Sequence, residues 1–166
     1  SDIRGIGQAA GDEAARQRSA AFPFELAYRL ICMFSVIGDT VLDPFAGTGT
    51  TLAAALAAGR NGVGVEIDGT FVPLISSSLM VLPVSANSFN RARLMRHVDF
   101  IAAREAEVGA LKYVNDYYGF SVMTAQEREL LIPEVDVVSE KDKGVFVVSY
   151  SGEPQADFVE EQRKAS

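Results

Sequence analysis

The chain is predicted to fold as an α/β domain with a doubly wound, mainly parallel sheet, and three consecutive stretches carry that prediction. Thr40-Val41-Leu42 reads as a short buried strand. A Gly-rich run from Ala46 to Thr51 then turns into an Ala/Leu helix that closes at Gly59. Asn61 to Ile67 reads as a second strand with no polar alternation, the pattern of a strand covered on both faces in a parallel sheet. Strand, helix and strand within about thirty residues form the right-handed crossover unit of α/β folds.

Ahead of this unit, residues 1–20 are Gly-, Ala- and charge-rich and read as a flexible lead-in. A helix is expected from Pro23 to Phe34, because proline suits a first helical turn and Leu26, Ala27, Leu30, Ile31, Met33 and Phe34 keep helical spacing. Gly38-Asp39 stops it. After the crossover, Phe71 to Met80 is expected to be helical, with Pro73 tolerated in its first turn. A longer helix is expected over Asn87 to Val108. Short strands follow at Leu111–Asn115, Phe120–Met123, Val135–Ser139 and Val145–Tyr150. Thr124 to Ile132 reads as a small helix, with Thr124 and Glu127 at capping-box spacing. The expected divisions are a ligand-binding core at 21–84, the remainder of the domain at 85–151 and a charged tail at 152–166.

Composition narrows the function. The chain has 166 residues, 48% apolar and 22% charged, which suits one globular domain. A single cysteine, Cys32, allows no internal disulfide, and a single histidine, His97, leaves too few soft ligands for a zinc cluster, so no metal is expected. Neither a signal peptide nor a membrane span is expected, because the uncharged stretch from Gly69 to Asn90 is broken by Pro73 and Pro83. A reduced, cytoplasmic setting fits. The net charge of -7 argues against coating nucleic acid by bulk attraction. Between Glu134 and Glu161 stand eight acids against Lys141 and Lys143, so this end is no DNA face. Arg91, Arg93, Arg96 and Arg104 could touch phosphates, although a solvated helical face is the preferred reading.

The most informative segment is Val41-Leu42-Asp43-Pro44-Phe45-Ala46-Gly47-Thr48-Gly49-Thr50-Thr51. An acid ends a buried strand, two glycines let a ligand approach the backbone, and a helix start offers free N–H groups. Glu66 lies 19 residues after Gly47, at the tip of the second strand, with Asp68 just past it. An acid there is placed to accept both hydroxyls of a ribose, which points to an adenosine-containing ligand. A nucleoside triphosphate loop would need a lysine after the glycines, and Thr50 stands there. A dinucleotide site would need Gly or Ala where Leu52 stands, and Asp43 would repel a pyrophosphate. S-adenosylmethionine (AdoMet) has no phosphate, and its sulfonium and ammonium favour Asp43, while its carboxylate can meet the helix start near Thr50 and Thr51.

Three stretches together resemble the amino-group DNA methyltransferases, which methylate adenine N6 or cytosine N4. They are Ala21-Phe22-Pro23-Phe24-Glu25-Leu26-Ala27-Tyr28-Arg29-Leu30, the run from Gly38 to Thr51, and Gly62-Val63-Gly64-Val65-Glu66-Ile67-Asp68. The likeness is greatest to the permuted (β) class of restriction-modification type and covers residues 18–80. It implies an AdoMet-dependent methyltransferase fold, with Phe22 and Pro23 near the cofactor, Asp43, Pro44, Phe45, Ala46, Gly47, Thr48, Gly49, Thr50 and Thr51 around its methionine part, and Glu66, Ile67 and Asp68 at its adenosine. It also implies double-stranded DNA as the substrate of the full-length enzyme.

The sequence departs from that family at the acceptor side. Amino methylation uses a loop of the form Asp/Asn/Ser-Pro-Pro-aromatic to hold an extruded base, and no Pro-Pro occurs in these 166 residues. The nearest imitation is Asn115-Asp116-Tyr117-Tyr118, where a plain turn closed by Gly119 is the preferred reading of Asn115 and Tyr118. In the permuted class this loop lies upstream, so the chain is expected to be the C-terminal part of a longer enzyme or a split subunit. A homodimer, or a separate catalytic half, is the expected partner. Non-catalytic AdoMet binding is the alternative, and an NAD-dependent oxidoreductase a weaker one. Cys32 reads as packing within an apolar helix and not as a nucleophile. His97 reads as a solvated helix residue. Phe22 reads equally as a hydrophobic staple or as a stacking residue.

Overall fold

The computed structural model describes residues 22–156, 158 and 159; the lead-in over residues 1–20 lies outside them. Helix α1 (Phe24–Phe34) starts behind Pro23 and buries Phe24, Ala27, Tyr28 and Ile31. Strand β1 (Thr40–Asp43) leads through the Gly-rich turn into α2 (Thr50–Ala57), and β2 (Asn61–Gly64) returns parallel to β1, pairing Leu42 with Val63 and Asp43 with Gly64. The crossover unit forms as expected from its spacing.

A 3-10 turn (Gly69–Phe71) and α3 (Val72–Met80) follow. Helix α4 (Leu82–Val108) starts earlier than expected, because Pro83 in its first turn needs no N–H partner there. The division drawn at 84/85 therefore falls inside α4. Two short pairs complete the chain: β3 (Tyr113–Val114) with β4 (Ser121–Val122), and the hairpin of β5 (Glu134–Asp142) with β6 (Val145–Ser151), both antiparallel. The segment expected to be a helix to Ile132 is a single 3-10 turn, Ala125–Glu127, with the Thr124/Glu127 capping box formed.

The fold is α/β, but the described residues form three two-stranded sheets, of which only β1–β2 is parallel. The expectation that β2 is covered on both faces is corrected: all four of its residues are exposed. One face of the pair carries α2, and no strand pairs with either outer edge among the described residues.

The main core lies among α1, α2, α4 and the β5–β6 hairpin. Phe89 of α4 meets Phe24 and Tyr28 of α1 edge-on, at ring separations of 5.0 and 4.9 Å. Val135 and Val138 of β5 close the same cluster. Two asparagines on α4 bind backbone across it. Asn87 exchanges two hydrogen bonds of 2.8 Å with the Val135 backbone, and Asn90 donates to the carbonyls of Ala57 and Pro133. A smaller cluster gathers Leu94, Tyr118, Ile132 and Phe158. Phe158 is 0% exposed and Gln155 is buried, which corrects the charged-tail reading at those two positions, Phe158 packing into this cluster. No single helix among the described residues is long and apolar enough to cross a membrane.

Phe89→Ala removes the ring between Phe24 and Tyr28, and chemical denaturation is expected to show a loss of about 3–5 kcal/mol. The Tyr150 hydroxyl donates to the Leu56 carbonyl at 2.8 Å, and burial pushes its pKa up from 10.0 to about 12. The folded state thus holds a proton that the unfolded state releases first. Stability from this group is intact below pH 10 and is lost as the pH rises toward about 12. Tyr150→Phe is expected to flatten the fall of the thermal midpoint across that window; an unchanged slope would show that Tyr150 does not contribute to it.

Candidate functional site

The C-terminal tips of β1 and β2 bring the two acidic segments together. Asp43 ends β1, and its Oδ1 accepts from the Phe45 N–H at 3.0 Å, which folds the chain over Pro44. Gly47 and Gly49 both adopt left-handed backbone, with φ of 51° and 81°, and let the turn double back into α2. Val65 continues the line of β2, donating to the Asp43 carbonyl and accepting from the Ala46 N–H, each at 2.9 Å.

Glu66 is the keystone of this turn. Its Oε2 accepts from the Gly47 N–H at 2.7 Å and its Oε1 from the Asp68 N–H at 2.8 Å. Each carboxylate oxygen retains acceptor capacity for an incoming hydroxyl. Asp68 turns away into a cap, Oδ1 accepting from the Thr70 N–H and hydroxyl at 2.9 and 2.7 Å. Thr48 and Thr50 share a hydroxyl contact of 3.4 Å across the turn. The start of α2, at Thr50 and Thr51, has no side-chain cap on its N–H groups. Phe45 and Ile67 stand out beside the turn, Ile67 fully exposed. Phe22 and Pro23 are exposed at the start of α1.

Two residues that sequence reasoning passed over set the turn's position. A Cβ on Gly62 would stand 3.0 Å from Leu52 Cδ2, and one on Gly64 2.8 Å from Leu52 Cδ1 and 3.0 Å from the Ala46 Cβ. Leu52 of α2 thus presses on the bare backbone of β2. The alternation of Gly62 and Gly64 was the signal that could have found this.

The acceptor-like segment behaves as a turn. Asn115 is buried. Its Nδ2 donates to the carbonyls of Glu127 and Leu130 at 2.7 and 2.9 Å, and its Oδ1 accepts from the Tyr117 and Tyr118 N–H groups, both at 2.9 Å. The Tyr118 hydroxyl accepts from the Ile132 N–H at 3.1 Å, and its ring stacks on Phe120. Gly119 closes the turn with φ of 75°. Both residues are engaged within their own lobe.

His97 corrects its surface reading. It is half-buried, its ring 4.9 Å from that of Phe120, and its Nε2 finds no hydrogen-bond partner among the described residues. The arginines divide as well. Arg93 donates to the Tyr28 hydroxyl at 3.0 Å and lies over its ring, Arg104 pairs with Glu107, and Arg96 is exposed. Burial raises the Tyr28 hydroxyl pKa, against the lowering effect of Arg93. Cys32 is half-buried against the main core. No His/Cys/Asp/Glu cluster fit for a metal occurs among the described residues.

An acid-tipped parallel pair, a left-handed glycine turn and an uncapped helix start agree with what the comparisons find. Residues 6–77 match the family of N6/N4 methylases described as DNA methylase. Among its relatives, the Type II methyltransferase M.MthZI of Methanothermobacter thermautotrophicus is 43% identical over 129 residues, which is 78% of this chain and 35% of that protein. The Type II methyltransferase M.MjaI of Methanocaldococcus jannaschii is 56% identical over 63 residues, 38% of this chain and 21% of its own length. A Thermus thermophilus protein, described as a candidate DNA modification methylase and crystallised with S-adenosyl-L-methionine, is 37% identical, covers 49% of this chain and 36% of its own, and has a TM-score of 0.36. The chain therefore spans about a third of the length of M.MthZI.

Gly64→Ala is expected to push Leu52 and Ala46 apart, costing about 1–3 kcal/mol as overpacking does. Hydrogen exchange at the Gly47 amide should quicken with it. Adding Leu52→Ala should slow that exchange again if the crowding runs through that contact, while adding its own packing loss to the stability.

Proposed function

We propose that this chain is the AdoMet-binding part of a DNA methyltransferase acting on adenine N6 or cytosine N4. The observation that carries the reading is Glu66, held by the Gly47 and Asp68 amides at 2.7 and 2.8 Å with acceptor capacity left over. A carboxylate fixed in this way at a strand tip can accept two adjacent ribose hydroxyls without reorganising. Asp43 supplies negative charge one strand away, about 4.8 Å across a sheet, where it favours a sulfonium or ammonium and disfavours a pyrophosphate. The uncapped N–H groups at Thr50 and Thr51 suit a carboxylate. Ile67, exposed next to Glu66, offers an apolar surface to the adenine, and Phe22 offers a second.

The donor set thus fits AdoMet better than NAD, whose pyrophosphate would meet Asp43 in a turn already drawn tight against β2 by Leu52. When bound, AdoMet supplies a methyl group activated on sulfur for in-line attack by an exocyclic amine. The residues of this chain hold and orient that donor: Glu66 fixes the ribose, Asp43 the cationic end, and the α2 start the carboxylate. The groups that hold the amine and take its proton are supplied from elsewhere in the enzyme, as in the permuted (β) arrangement of restriction-modification methylases. In that arrangement the β1–β2 pair is part of a larger doubly wound sheet. Double-stranded DNA is the substrate of that whole enzyme, in the cytoplasm.

A second reading is supported by the engagement of Asn115 and Tyr118 within their own turn. It is that this polypeptide binds AdoMet as a subunit and does no chemistry alone.

Calorimetric titration tests the cofactor assignment. AdoMet is expected to bind, NAD to be silent, and Glu66→Ala to weaken AdoMet by about ten- to a hundredfold, the loss of one or two hydrogen bonds to a charged group. Preferential NAD binding overturns the methyltransferase reading.

A further inference from the structure

We infer that the groove between α1 and α4 seats the sugar-phosphate backbone of double-stranded DNA. The choice of DNA rests on the function proposed above; the surface itself stands on geometry and charge.

Along α4, Arg93, Arg96, His97 and Phe100 recur at three- and four-residue spacing, which puts them on one face. That face meets Glu25, Arg29 and Met33 of α1 across a groove of about 460 Å³. Arg96 is exposed and makes no ion pair with a described residue. The Arg93 guanidinium directs one N–H at the Tyr28 hydroxyl, at 3.0 Å, and has further donors to offer. Arg29 pairs with Glu25 of its own helix at 2.6 Å. His97 stands on the same wall, and its buried Nε2 has no partner among the described residues. Glu25 is the sole acid among the described residues that line the groove. Three arginines thus converge on one carboxylate, in a chain whose net charge is -7. Gathered in a concave place, such cations focus their field on an anion. The arginine segment is therefore not an evenly solvated face. Arg104, further along α4, lies outside the groove and pairs with Glu107 at 2.9 Å.

The walls select the kind of anion. Met33 is 71% exposed and Phe100 53%, so apolar side chains stand between the cations. A free phosphate would leave both uncovered, whereas a nucleic-acid backbone alternates charged phosphates with less polar sugars. Arg93 and Arg96 are about 4.5 Å apart along the helix axis, and a duplex carries one charge per about 1.7 Å of its own. Both cations therefore find phosphates without needing one exact register. The groove also leads toward the chemistry. Glu25 lies about one helical turn from Phe22, which the proposed function sets beside the adenine.

Fluorescence anisotropy with a labelled mixed-sequence duplex of about 20 base pairs, titrated with this full chain between about 50 and 200 mM salt, tests the assignment. Binding that falls steeply with salt is expected. Arg96→Ala should weaken it about tenfold at the low-salt end and lower the slope of log affinity against log salt by about one. Glu25→Gln, which frees Arg29, should strengthen it and steepen that slope. Arg104→Ala and Glu107→Gln make the same charge changes outside the groove and should leave it unmoved. No duplex binding, or equal effects inside and outside the groove, overturns the proposal. So does poly-glutamate binding as tightly as the duplex with the same dependence on Arg96, because the groove would then serve acidic peptide. Calorimetry with AdoMet keeps the two claims apart, since Arg96→Ala should not alter AdoMet binding. AdoMet binding without groove-dependent DNA binding overturns only the groove, whereas groove-dependent DNA binding without AdoMet binding overturns the cofactor reading.

Discussion

The close approach of α2 to the β1–β2 pair governs the geometry of the site. A helix can lie this near a strand only where the facing strand positions carry no side chain, and Gly62 and Gly64 meet that condition beneath Leu52. The short distance in turn brings the Gly-rich turn within hydrogen-bond reach of the next strand tip. Glu66 then spans the gap, binding Gly47 on one side and Asp68 on the other. If the helix stood further off, Glu66 would still be an acid at a strand end, but it would not be anchored. The polar site is thus set by an apolar contact beneath it.

The crossover unit was legible in the sequence because its signals are local. Glycines at 47 and 49 demand a turn, alanines and leucines follow at helical spacing, and Asn61 to Ile67 reads as a strand, which the structure forms over Asn61–Gly64 only. The burial of that strand was not legible: Val63 and Val65 have the composition of covered residues, yet cover depends on a layer that the described residues do not supply. His97 was misplaced for a related reason. Its neighbours Arg93 and Arg96 suggest solvent, but Phe120, distant in sequence, arrives on top of it. Phe158 was hidden among acids that say nothing about where one ring docks. The Asn115 turn could be read because its four bonds are all to residues nearby in the chain or to the segment that follows.

Charge distribution explains how an acidic chain carries this site. The acids of the hairpin and beyond lie at the far end of the sequence, and the two carboxylates at the strand tips are treated differently from one another. Glu66 is bound by two amides, which disperse its charge and fix its direction. Asp43 spends one oxygen on the Phe45 amide and keeps its charge at the mouth of the turn. In the proposed site, one acid would meet hydroxyls and the other a cation. Phosphate chemistry needs the reverse, a turn whose neighbours are neutral or basic.

Helix α2 joins the two halves of the chain because its ends are handled in opposite ways. Its C-terminal carbonyls are claimed by side chains from later in the sequence: Leu56 by the Tyr150 hydroxyl, Ala57 by Asn90, and the adjacent Ala58 by the Arg60 guanidinium, which also binds Ser35 at 2.6 Å. A cation at this end complements the helix dipole. The N-terminal amides at Thr50 and Thr51 meet no side-chain cap. A helix satisfied at both ends would have no electrostatic reason to face a ligand, and one loose at both ends would not hold a direction. Anchoring the C-terminus alone leaves the positive end of the dipole fixed in place and available. The long helix α4 and the β5–β6 hairpin therefore contribute to the site without approaching it: they hold the far end of the helix whose near end forms it.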